Sequence, residues 1–179
     1  MHTKYLAAPM AALALAVAGC GSSNDATTTT GNGVDRAFVQ EMIPHHTSAV
    51  TMAKIGLKRG ESGYVKTLSR DIIASQSKEI SEMEVADERL ASEGVQPGGL
   101  GLPGSMMGMD MDTRSLQTAT PFDPAFVTMM TPHHQGAITM AKAELAKGSD
   151  PELKELATSI IAAQQKEIAG MRAFLGSAG

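Results

Sequence analysis

"MIPHHTSAVTMAK" spans Met42–Lys54, and "MTPHHQGAITMAK" spans Met130–Lys142. The second stretch starts 88 residues after the first and keeps its proline, both histidines and the Met-Ala-Lys ending. The chain has 5 histidines, and these two stretches hold four of them. The match runs without a gap from Asp35–Met83 onto Asp123–Met171, with about half of the positions identical. Duplication of one helical hairpin is the simplest source of such a pattern.

Each copy reads as two helices. Asp35 is the expected N-cap of the first, and Asp123 followed by Pro124 is the expected start of the third. Gly60 and Gly148 stand where those helices should stop, and Ser62 and Asp150-Pro151 should open the next ones. The expected helices cover 35–59, 62–92, 123–147 and 150–175. Two such hairpins bury their apolar faces against each other, which predicts an all-α four-helix bundle.

At 100° per residue Phe38, Met42, His45, Ala49 and Met52 share one stripe. Val39, His46, Val50, Ala53 and Leu57 form the adjoining stripe, so both histidines lie among apolar residues. In the second helices Gln76 and Glu79 interrupt the apolar face of Val65, Leu68, Ile72 and Met83. Gln164 and Glu167 do the same among Leu153, Leu156, Ile160 and Met171. A buried carboxylate needs a partner, and a histidine on the facing helix supplies one. Two copies of Met, His, His and Met brought to a common core predict a metal site. Thioether with imidazole suits Cu(I), and imidazole also suits Cu(II), whereas zinc seldom takes Met and calcium or magnesium want oxygen.

The remaining segments set the context. Residues 1–20 read as a secretory signal ending in "VAGC", with Cys20 as a lipid attachment site. Residues 21–33 read as a flexible polar tether. The organisation expected is therefore repeat one over 34–92, a Gly/Pro/Met-rich crossover over 93–122, and repeat two over 123–176, forming one domain. The crossover carries Met106, Met107, Met109 and Met111, the expected second and softer copper site. A formal net charge of -4 gives no sign of nucleic-acid binding. The protein is expected to be exported and lipid-anchored, at the outer side of the cell membrane or in the periplasm. Its partner is then a metal ion, with a homo-oligomer or a copper-transfer partner left open.

The paired motif, with the Asp and Phe upstream of each His-His, resembles the bacterial domain-of-unknown-function family 305. The resemblance covers both repeats. It implies a ferritin-like four-helix domain, and copper binding or copper resistance, because some exported members bind copper. The family motif falls on Met42, His45, His46 and Met52, and on Met130, His133, His134 and Met140. Gln76, Glu79, Gln164 and Glu167 stand behind these as supporting residues. Two readings compete. A di-iron oxidoreductase would draw on four carboxylates and two Glu-x-x-His motifs, yet no Glu-x-x-His occurs in the chain. A structural or interaction module would use the histidines only as a hydrogen-bonded network. No catalytic motif is visible, and an enzyme is not expected.

Overall fold

The computed structural model describes residues 30–177. The signal segment and Cys20 lie outside the described residues. Four helices make up the fold: α1 (Gly33–Arg59), α2 (Gly63–Ser92), α3 (Phe122–Lys147) and α4 (Pro151–Ser177). Two short 3-10 turns, Gly104–Met106 and Thr113–Gln117, lie in the crossover. The protein is an all-α four-helix bundle. No helix among the described residues is long and apolar enough to cross a membrane.

α1 packs along α2, and α3 along α4. The hairpins meet through α1 and α3, whereas α2 and α4 barely touch. The stripe Phe38, Met42, His45, Ala49 and Met52 is fully buried. Leu57, expected beside it, is 37% exposed, whereas Gly56 in the same turn is buried against α2 and α3.

The duplication survives in three dimensions, bond for bond. Asp35 accepts the backbone N–H groups of Ser149 and Asp150 at 2.9 Å each. Asp123, 88 residues on, accepts those of Glu61 and Ser62 at 2.9 and 2.7 Å. Each aspartate therefore binds the hairpin turn of the other repeat, and α1 and α3 must run antiparallel. This corrects the expected capping roles. Asn32 caps α1 instead, its side chain accepting from Val34 and Asp35 in a capping box. Pro121 precedes α3 and supplies no side-chain cap. The end of the expected tether is thus part of the fold: Asn32 donates to the Lys147 carbonyl at 3.0 Å. Ser62 does cap α2, and Asp150 caps α4.

Gly148 ends α3 for a steric reason. A Cβ there would meet the Glu144 carboxyl at 2.1 Å and Asp35 at 2.7 Å. Glu144 is fully buried against Asp35. Burial, first, and the neighbouring Asp35 carboxyl push Glu144 up to about 8. For Asp35 burial alone would raise the value, but hydrogen bonds from Glu144 and from the Asp150, Asn32 and Ser149 backbone hold it low. The two carboxyls therefore share one proton.

The crossover is strapped at both ends by repeat-related cations. Arg59 donates to the carbonyls of Leu116 and Ala119 at 2.6 and 2.9 Å. Lys147, its counterpart, donates to the Leu100 carbonyl at 2.9 Å. Leu100 and Leu116 are buried beneath.

Candidate metal centre

Adjacent histidines on a helix diverge by about 100°. Within each pair the ring centroids are 6.1 Å (His45, His46) and 6.4 Å (His133, His134) apart. One ring of each pair turns to the crossing of α1 and α3. There the His45 and His133 rings meet, with centroids 3.8 Å apart and planes tilted by 37°. The other ring turns to its own hairpin partner. His46 Nε2 is 2.7 Å from Glu79 Oε2, and His134 Nε2 is 2.6 Å from Glu167 Oε2.

All four imidazoles are buried. Neither ring nitrogen of His45 or of His133 makes a hydrogen bond of normal geometry, and Nδ1 of His46 and of His134 is equally unpaired. Buried polar atoms normally find partners, so six orphaned nitrogens at one place demand an explanation. Burial, then the charges of His46 and His134, lowers His45 to about 3, and the Met107 and His133 backbones oppose this only weakly. Burial, followed by His45, His134 and His46, lowers His133 to about 2. Both rings are neutral at any ordinary pH, the state in which imidazole binds a metal.

Met42, Met52, Met130 and Met140 are all fully buried. They do not face each other as their places in the repeats suggest. Met42 falls in one apolar cluster with Met140 and Met83, and Met130 in a second with Met52 and Met171. The antiparallel crossing is the reason: a residue before His45 meets one after His133. Each side of the histidine pair is thus flanked by thioethers from both repeats. Gln76 and Gln164 are buried too, and Gln76 Oε1 and both polar atoms of Gln164 are unpaired.

Among the described residues no three His, Cys, Asp or Glu side chains form a ready ligand set. A metal held here would need donors besides these, and buried thioethers lie in the apolar clusters on either side of the histidines. The donor set fits a soft ion. The crossover methionines are divided. Met106 and Met109 are 53% and 41% exposed. Met107 packs on the core, and a Cβ at Gly136 would meet its carbonyl oxygen at 2.2 Å. The segment around Met107 is therefore pressed onto α3 one turn from His133. Neither that contact nor the burial of Glu144 was legible in the repeat. The repeat-equivalent positions, Ser48 and Gly56, are different residues.

A four-helix bundle whose core is a duplicated set of buried histidines and methionines defines the class of fold and core to which this chain belongs. The chain belongs to the family described as "Domain of unknown function (DUF305)", whose model matches residues 16–87 and 35–175. Among solved structures it is similar to CopM in the Cu(II)-bound form, at 34% identity and a TM-score of 0.71, covering 81% of this chain and 97% of that one. CopM has also been solved in Cu(I)-bound, silver-bound and apo forms. A DUF305 fragment from Deinococcus radiodurans is 31% identical, with a TM-score of 0.68, over 82% of this chain and 98% of that one. Among curated proteins, an uncharacterized protein of Acanthamoeba polyphaga mimivirus is 45% identical over 56 residues. That match spans 31% of this chain and 37% of the relative's length.

Proposed function

We propose that this protein binds copper outside the cytoplasm, sequestering it or passing it on, while a lipid on Cys20 anchors it to a membrane. The observation that carries the reading is the close pair of neutral, buried imidazoles, His45 and His133, whose four ring nitrogens make no hydrogen bond of normal geometry. His45 and His133 would be the central ligands, with thioethers of Met42, Met52, Met130 and Met140 around them. His46 and His134 would add their unpaired Nδ1 atoms. Glu79 and Glu167 hold the opposite nitrogens, which fixes tautomer and ring direction and raises ligand basicity. Nitrogen with sulfur favours Cu(I) over zinc or iron. The likeness to CopM, a protein solved with Cu(I), Cu(II) and silver, supports the same reading. Met106 and Met109, exposed on the crossover, suit a weaker Cu(I) site.

Metal analysis of the protein purified from its native compartment tests this. Copper in excess of zinc and iron is expected. Iron retained in place of copper, or no metal after copper challenge, would overturn the reading. For the anchor, Cys20→Ala is expected to move the protein from the membrane fraction to the soluble one, or to leave it unprocessed. Unchanged, processed membrane association would remove that part of the proposal.

A further inference from the structure

The two repeats are not equivalent along the seam between α2 and α4. At one end Tyr64 stacks on Phe174, with ring centroids 5.0 Å apart. The repeat-equivalent positions at the other end are Glu152 and Ala86. Neither supplies a ring, and there the helices leave a groove of about 810 Å³ that both residues line. Its apolar wall includes Leu153, Leu156 and Val85, the last 67% exposed. Four glutamates line it as well: Glu79, Glu82, Glu152 and Glu155. Lys78, the one cation in the lining, is paired to Glu82.

The groove reaches the histidines through a single side chain. Glu79 is 15% exposed and hydrogen-bonds to His46, whose side chain is fully buried. Two other cavities flank the core. One, under the crossover, is lined by Arg172, and the other by Lys142 and Arg172, and no carboxylate lines either. A cation is repelled from those two and attracted to the groove.

We propose that the groove between α2 and α4 is the route by which a copper ion reaches and leaves the histidine core. Glu82, Glu152 and Glu155 form a rim that collects the cation, and Glu79, at the inner end of the groove, is the carboxylate beside His46 that the ion passes on its way into the core. The missing aromatic pair keeps this end open while Tyr64 and Phe174 seal the other. The inference rests on the copper reading above.

Stopped-flow mixing of the protein with Cu(II) chloride alone tests it. The variant Glu82→Gln, Glu152→Gln, Glu155→Gln should associate about tenfold more slowly at low ionic strength and converge on the wild type as salt rises. Ala86→Phe with Glu152→Tyr installs the aromatic pair at the open end. It should slow association and dissociation by one common factor, leaving the Kd equal to that of Glu152→Gln. Loss of a ligand would instead speed dissociation. Circular dichroism checks the fold, and the rim positions are exposed, so the charge variant decides the matter even if the aromatic one fails to fold. Wild-type association rates in the charge variant would overturn the route and leave copper binding standing. Failure of the wild type to take up copper would overturn both.

Discussion

His45 and His133 hold four buried ring nitrogens that make no hydrogen bond of normal geometry, and leaving such a group unsatisfied costs about 1–3 kcal/mol. Packing alone gives no reason to keep them. His46 and His134 differ, because a glutamate satisfies one nitrogen of each. This division of labour follows from helix geometry, since neighbours in sequence cannot aim at one point. It was half legible in the sequence. A carboxylate on an apolar face in both copies pointed to a histidine partner, while which of the two histidines it would meet was not decidable from spacing. Glu79→Gln and Glu167→Gln are expected to lower copper affinity about 10–100-fold each without abolishing binding, as read by chelator competition. Wild-type affinity in both would mean that the carboxylates do not orient the ligands.

At the scale of elements, the repeat foretold four helices, but the contacts between them came from exchange. Asp35 and Asp123 looked like caps of their own helices and instead bind the other repeat's turn. A local capping preference cannot reveal a partner more than 60 residues away. The crossover read as a loose Gly/Met segment, yet Arg59 and Lys147 tie it down and Met107 sits on Gly136. An alanine in a helix interior normally gains about 1 kcal/mol over glycine. Gly136→Ala is expected to lose about 1–3 kcal/mol instead, because its methyl meets a backbone carbonyl that cannot turn away. The repeat-equivalent Ser48→Ala should stay within about 0.5 kcal/mol of the wild type. Urea unfolding of both variants checks this, and a stabilised Gly136→Ala would show that the crossover does not press on α3.

For the whole molecule, the Asp35–Glu144 pair joins the start of α1 to the end of α3 and makes stability depend on pH. Glu144 is pushed up to about 8 from an ordinary 4.5. Its contribution is therefore complete below 4.5 and is lost as the pH rises to about 8. Asp35, held low, and the lowered histidines act only on the acid side. Thermal stability should therefore fall between about pH 6.5 and 8 in the wild type, above the histidines' range, and level off beyond pH 8. Glu144→Gln keeps a donor toward Asp35 and should flatten that fall; an unchanged slope would rule out the shared proton. The proposed role of the paired His45 and His133 imidazoles is to hold copper. Its most direct measurement is titration of the wild type and of His45→Phe/His133→Phe against a competing copper chelator. Phenylalanine keeps two packed rings and removes the nitrogens. The double variant is expected to lose most of its copper affinity while its copper-free form becomes no less stable. Equal copper affinity in the two proteins would contradict the claim.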